Sequence, residues 1–154
     1  MTEQEENFIY FTLCIEWLNN AWRLLQAIQM QPKNQLGGAA FRFALIEYCK
    51  PYKPSRGSSK QFKLDTSLIS PVHIALHNRI IASRDQVHAH SDLTVMEAKL
   101  HVHEIMGLRY TQISQNYITG LEELPNIQQV IALIESSLEN MYLEVKVLDA
   151  ALPH

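Results

Sequence analysis

The sequence has few of the features that mark secreted or membrane-spanning proteins. Its two cysteines, Cys14 and Cys49, lie among apolar residues, which predicts two buried thiols in a reducing compartment rather than a disulfide. No apolar run reaches the length that a bilayer requires, and Met1–Glu6 is acidic where a secretory signal is basic. We therefore expect a cytoplasmic protein that makes no use of a membrane.

An excess of charge of either sign is also missing. The formal net charge is −3 over 154 residues, so RNA or an anionic lipid would have to be held by a local basic patch. Hydrophobic residues make up 47% of the chain, which is enough for one domain with its own core. We expect a single globular domain over residues 1–154.

Apolar residues at three- and four-residue spacing predict long helices. One wide apolar face predicts a first helix that ends near Pro32, and a second helix stops near Cys49, before Pro51. A regular apolar seam in residues 127–148 predicts the last helix. The sequence thus favours an all-α antiparallel bundle of four to five helices, with seams wide enough to serve a homodimer as well.

The third helix is predicted to begin with Ser70 as its N-cap and Pro71 at its first helical position. Its predicted apolar face contains Val72, Leu76, Ile80, Ser83 and Val87. After this helix the apolar pattern changes towards strand-like alternation. Residues 93–118 therefore predict a short β-hairpin or an irregular excursion from the bundle.

The segment Lys50–Lys63 combines prolines and serines with several basic residues, and it carries Tyr52 and Phe62. This composition predicts a mobile basic loop, which is also the one plausible electrostatic patch for RNA. A solvated connector between helices is the alternative. The candidate RNA-binding residues are Lys53, Arg56, Lys60 and Lys63.

The polar groups best suited to chemistry are concentrated in Ser83–Asp92, at the end of the predicted third helix. Arginine keeps its charge and fits a phosphate through two hydrogen bonds, and histidine moves protons near neutral pH. This combination indicates phosphate chemistry. The candidate catalytic residues are Arg84, Asp85, His88 and His90.

Helical geometry leaves open which histidine acts with the arginine. At 100° per residue, Arg84 and His88 share a helical face, whereas Arg84 and His90 do not. Three arrangements remain open. The helix unwinds near Ala89, a partner subunit supplies the missing group, or His88 is the functional histidine.

The segment Arg84–His90 resembles the motif of the HEPN superfamily, an arginine and a histidine separated by four to six residues. Here five residues separate them, Asp85 matches the polar residue that commonly follows the arginine, and Ala89–Asp92 is similar to the family's motif ending. The resemblance implies a HEPN-type bundle and a metal-independent endoribonuclease, or an inactive relative. It further implies a homodimer whose two motifs meet at the interface, and a toxin-like or defence role held in check by an inhibitory partner protein.

Two other functions are compatible with the same residues. In a helical interaction protein without catalysis, Arg84 and His90 would form a structural ion pair with Asp92. A metal site is the third reading, since an H-x-H pair on a strand points both rings to one side. The H-x-H pairs are His88 with His90 and His101 with His103, while His73 and His77 are expected at the surface. No cysteine or carboxylate completes an obvious ligand set, so we expect neither a metal nor a cofactor.

Overall fold

The computed structural model describes residues 1–57, 60–88, 97–115 and 119–153, apart from the side chains of Val87 and His88. The described residues form four α-helices and two antiparallel two-stranded sheets. The elements in chain order are α1 (Glu3–Met30), α2 (Gly37–Cys49), β1 (Ser55–Arg56), β2 (Gln61–Phe62), α3 (Ile74–His88), β3 (Lys99–Ile105), β4 (Leu108–Ser114) and α4 (Ile127–Ala150). A mainly helical architecture is confirmed, with two small sheets that an all-α description leaves out.

Local sequence sets both ends of α1. Thr2 Oγ1 accepts a hydrogen bond from the backbone N–H of Glu5 at 3.2 Å, and the Glu5 carboxylate accepts one from the backbone N–H of Thr2 at 2.6 Å. This reciprocal capping box satisfies N–H groups that have no partner inside the helix, and it lowers the pKa of Glu5. The helix ends at Met30, just before Pro32, as the sequence predicts.

The core lies where α1 packs against α2 and α4. Cys14 and Cys49 are buried in it, and burial raises the pKa of each thiol to about 12. Trp22 Nε1–H donates a hydrogen bond to Glu135 Oε1 across α1 and α4 at 2.9 Å, and Trp17 lies edge-on to Tyr10. The two tryptophans thus take part in packing within one chain.

The basic segment after α2 is anchored to the core through some of its described residues, whereas Arg56, Lys60 and Lys63 are exposed. The composition of the segment does not predict this anchoring. A 3₁₀ turn, Lys50–Tyr52, leads into the short sheet of β1 and β2, and Tyr52 and Phe62 are both buried. The Pro51 carbonyl accepts hydrogen bonds from the Tyr10 hydroxyl at 3.0 Å and from the Leu64 N–H at 2.7 Å. Buried aromatic rings stabilise the segment despite its polar composition.

The start of α3 differs from the prediction. Pro71–His73 is a 3₁₀ turn, and the Ser70 hydroxyl lies 2.7 Å from the Ser136 hydroxyl instead of capping the helix. Val72 is 81% exposed, so it does not belong to the apolar face. Leu76 and Ile80 are buried as predicted.

Residues 93–118 contain a β-hairpin in their described part. β3 and β4 pair in antiparallel register from Lys99 opposite Ser114 to Ile105 opposite Leu108. The connection consists of Met106 and Gly107, with φ angles of 53° and 78°. A two-residue turn with both φ angles positive matches the right-handed twist of the strands, but only glycine adopts this conformation without cost.

Substitutions in this turn should change the stability of the hairpin. We expect Gly107→Ala to cost about 1 kcal/mol, because it adds a side chain in the left-handed region. Met106→Asn should stabilise the hairpin, since asparagine tolerates that region better than methionine. Hydrogen exchange of the β3 and β4 amides would then be faster in Gly107→Ala and slower in Met106→Asn.

Gly37→Ala is the matched control, because a Cβ at Gly37 would meet no atom within 4 Å. It should leave exchange in the hairpin unchanged. Unchanged exchange in Gly107→Ala would show that the turn does not have the conformation described.

Candidate functional site

The candidate site lies near the end of α3, which a buried carboxylate holds in place. Arg79 Nε donates to Glu123 Oε1 at 2.6 Å, and Ser83 Oγ donates to Glu122 Oε2 at 3.3 Å. Glu123 is buried, and the hydrogen bond from Arg79 lowers its pKa, so it remains a carboxylate. These contacts fix the helical turns that carry Arg84.

Two cations meet one carboxylate at this end of the helix. Arg84 Nη1 donates to Asp85 Oδ1 at 3.2 Å, and Lys53 Nζ donates to Asp85 Oδ2 at 2.6 Å. The hydrogen bond from Lys53 is the largest cause of a lowered pKa at Asp85, which therefore stays ionised at neutral pH. The cluster of Lys53, Arg84 and Asp85 carries one net positive charge.

Arg84 is only partly accessible, with 29% of its side chain exposed. Its Nε is buried and has no hydrogen-bond partner among the described residues. Buried donors of a charged group are nearly always paired, because an unpaired one costs about 1–3 kcal/mol or more. An anion that accepted a hydrogen bond from this group would remove that cost.

Cys49 lies close enough to the cluster for its charges to act on the thiol. Burial raises the pKa of Cys49 to about 12, although the charges of Arg84 and Lys53 act to lower it. The sulfur is therefore a neutral thiol at physiological pH, and only a thiolate is an effective nucleophile. The burial of Cys49 agrees with the buried thiol that the sequence predicts.

A buried aromatic and histidine group lies beside the Lys50–Tyr52 turn. The Tyr48 hydroxyl is 2.7 Å from His77 Nδ1, and the ring of Tyr52 is 4.6 Å from that of His77. His77 is 3% exposed, so its expected surface position is wrong. Burial, followed by the charge of Lys63, lowers the pKa of His77, which favours a neutral imidazole in the hydrogen bond with the Tyr48 phenol.

This buried histidine predicts a pH dependence of stability. The pKa of His77 is lower in the folded state than its value of about 6.5 in the unfolded chain, so the unfolded chain binds more protons. The free energy of unfolding should therefore be at its full value above about pH 6.5 and fall as the pH is lowered towards 5. Urea titrations across this range measure it.

His77→Gln should flatten that part of the pH dependence, because it removes the titrating group. His73→Gln is the matched control on the preceding 3₁₀ turn, and it should keep the wild-type slope. Equal slopes in wild type and His77→Gln would contradict the assignment to His77.

The structure brings together Lys53, Arg84 and Asp85 among the predicted site residues. His90 lies outside the described residues, and His88 is described only as the last backbone position of α3. Lys53 and Asp85 are in contact although they are 32 positions apart in the sequence. No local pattern in the sequence indicates that pairing.

The other predicted RNA-binding residues lie along the β1–β2 sheet and its flanks. Arg56 is exposed on β1, and Lys63 is exposed directly after β2. Lys60 Nζ donates to Glu3 Oε1 at 2.6 Å, at the start of α1. Among contacts between described residues, Lys53 is the member of this group that reaches Asp85 directly.

The described residues contain no group of three or more histidine, cysteine, aspartate or glutamate side chains arranged to hold a metal ion. On the hairpin, the rings of His101 and His103 stack at 6.4 Å, and His101 Nε2 lies 2.7 Å from the Ser114 hydroxyl. The ring of Tyr110 stacks on that of His103 at 4.9 Å. These histidines are held by contacts within the hairpin.

None of the described helices is long and apolar enough to cross a membrane. No family model, curated protein or solved structure matches the chain. Its function has to be inferred from its own residues and their geometry.

Proposed function

We propose that this chain is a metal-independent endoribonuclease of the HEPN type that cleaves RNA through attack of the 2′-hydroxyl. The observation that carries the proposal is the convergence of Lys53 and Arg84 on Asp85, at the end of the helix on which the arginine motif lies. Two fixed cations, which with Asp85 form a cluster of one net positive charge, suit a phosphodiester whose negative charge increases during the reaction. RNA supplies its own nucleophile, so no metal-bound water is needed.

Protein side chains can supply both the acid and the base that this reaction needs. A base removes the 2′-hydroxyl proton while the 2′-oxygen bonds to phosphorus, and an acid protonates the 5′-oxygen as its bond to phosphorus breaks. The products are a 2′,3′-cyclic phosphate and a 5′-hydroxyl. Arg84 and Lys53 would stabilise the charge on the phosphorane between these steps.

Asp85 is a positioning residue in this proposal. Its lowered pKa makes it a weak base and leaves it without a proton to donate at neutral pH, so it suits neither proton transfer. It instead holds the cationic groups of Lys53 and Arg84 in place through its two oxygens. The proton transfers then fall to histidine, with His90 favoured by the motif and His88 by helical geometry.

The family resemblance extends the proposal to its biological setting. The enzyme would be a homodimer with its two motifs at the subunit interface, acting on cytoplasmic RNA. Its role would be toxin-like or defensive, restrained by an inhibitory partner protein. The cations Arg56, Lys60 and Lys63 would bind the RNA strand further from the scissile phosphate.

A catalytically inactive HEPN-like interaction protein is the second candidate. It is favoured by the fact that Asp85 already pairs with both Lys53 and Arg84 inside the chain. Such a network can serve structure without any ligand. If this candidate is correct, substitution of Lys53, Arg84 or Asp85 changes the stability of the fold, and the wild-type protein does not cleave RNA.

The test is cleavage of single-stranded and structured RNA in excess chelator. We expect wild-type protein to cleave and Arg84→Ala to lose about 100-fold or more in rate, because it removes a donor from the charged phosphorane. His90→Ala should lose activity as well, and Lys53→Ala should lose less, because Arg84 remains. Far-UV circular dichroism would check that each variant keeps its helical fold.

Arg42→Ala, at an exposed position on α2, is the matched control for removal of a positive charge. It should cleave at the wild-type rate. Absence of cleavage by any protein would favour the inactive interaction protein, and equal cleavage by wild type and Arg84→Ala would exclude the proposed role of Arg84.

A further inference from the structure

The β3–β4 hairpin carries three ring side chains, and all of them lie on one of its two faces. Residues directly opposite each other in an antiparallel pair point to the same side. The face with the rings, here called the ring face, contains the opposed pairs Lys99–Ser114, His101–Gln112 and His103–Tyr110. The opposite face contains the pairs Leu100–Ile113, Val102–Thr111 and Glu104–Arg109, none of which has a ring. Only the ring face can therefore bind a ligand by stacking.

The three rings form one stack that is open to solvent at its outer members. His103 and Tyr110 lie opposite each other on the two strands, with ring centroids 4.9 Å apart and an angle of 18° between the ring planes. The rings of His101 and His103 are 6.4 Å apart at 21°. His103 is half-buried, whereas His101 is exposed and Tyr110 is 47% exposed. The outer rings are thus accessible to a further flat ring.

The polar groups of the hairpin favour a nucleic acid as the ligand of this face. Lys99 places a positive charge on the ring face, and the carboxylate of Glu104 belongs to the opposite face. The Gln112 amide and the Ser114 hydroxyl lie on the ring face as hydrogen-bonding groups. Single-stranded nucleic acids are bound by this combination, in which rings stack on unpaired bases and cations contact phosphates.

The hairpin is connected closely to the helix end that carries Arg84. Ser114 is the last residue of β4, and it precedes Glu122 by eight positions. Glu122 accepts the hydrogen bond from Ser83, the neighbour of Arg84. Eight residues span at most roughly 28 Å, even when fully extended. The ring face and the candidate site are therefore within reach of one nucleic-acid strand.

We propose that the ring face binds the unpaired bases of single-stranded RNA, with His101 and Tyr110 stacking on bases and Lys99 contacting a phosphate. The inference rests on the proposed function, because it names single-stranded RNA as the substrate class of the same enzyme. The bases of a duplex are stacked on one another and paired, so they are not available to these rings. The ring face thus selects unpaired RNA for the candidate site.

Binding to the ring face can be measured without cleavage. The probe is a fluorescently labelled strand of about twelve nucleotides with 2′-deoxyribose throughout, because binding by stacking occurs with DNA and RNA strands over sites of this length. This strand has no 2′-hydroxyl for the proposed reaction. The same strand paired with its complement is the second probe. Fluorescence anisotropy titrations give the Kd of each protein for both probes.

Two variants remove a ring and keep a residue that favours a strand, Tyr110→Ile and His101→Thr. Each should raise the Kd for the single strand about 5-fold or more, which corresponds to the loss of one base–ring contact. Neither should change the Kd for the duplex. Tyr110→Phe keeps the ring and should bind like wild type. Tyr142→Ile, at a tyrosine of α4 that is 45% exposed, is the matched control and should also bind like wild type.

Hydrogen exchange of the β3 and β4 amides would check that the hairpin forms in each variant. Equal binding of the single strand by wild type and both ring variants would overturn the inference, as would equal weakening for single strand and duplex. Binding by Tyr110→Phe as weak as that by Tyr110→Ile would also overturn it, because the ring would then not be the binding group.

Cleavage of the matching ribose strand separates this inference from the proposed function. Ring-dependent binding without cleavage would support the ring face and contradict the ribonuclease. Cleavage of the ribose strand by a wild-type protein whose binding does not depend on the rings would overturn the ring face alone.

Discussion

The candidate site depends on burial of the short turn that follows α2. The Pro51 carbonyl receives hydrogen bonds from Tyr10 on α1 and from Leu64 after β2, and Tyr52 packs against His77 on α3. Three parts of the chain thus hold one turn. Lys53 is the residue after this turn, so its backbone position is fixed by the core. Its ammonium therefore contacts Asp85 from a well-defined position.

The charge states of Asp85 and Cys49 differ because the two side chains are buried to different extents. Asp85 is close to half exposed and paired with two cations, so it remains an anion, whereas Cys49 is buried beside the same charges and remains neutral. The buried Nε of Arg84 is a donor of a charged group with no partner in the part of the chain that the structure describes. In the proposed function, the phosphate of RNA is the anion that this donor would bind.

The sequence predicts the helices better than the segments between them. Pro32 and Pro51 mark where α1 and α2 end, because proline cannot continue a helix, and the strand-like alternation indicates the hairpin. The anchoring of the basic segment is not predicted, because nothing in its polar composition shows that Tyr52 and Phe62 are buried. The contact of Lys53 with Asp85 arises only in the folded chain, so no local periodicity predicts it.

Cleavage of one RNA strand, compared in chelator with the same strand carrying 2′-deoxyribose throughout, tests the central claim most directly. The proposed reaction takes its nucleophile from the 2′-hydroxyl, so the ribose strand should be cut, leaving a 2′,3′-cyclic phosphate, and the deoxy strand should remain intact. Cleavage of both strands would show that water is the nucleophile. Cleavage of neither would show that the cluster of Lys53, Arg84 and Asp85 serves structure alone.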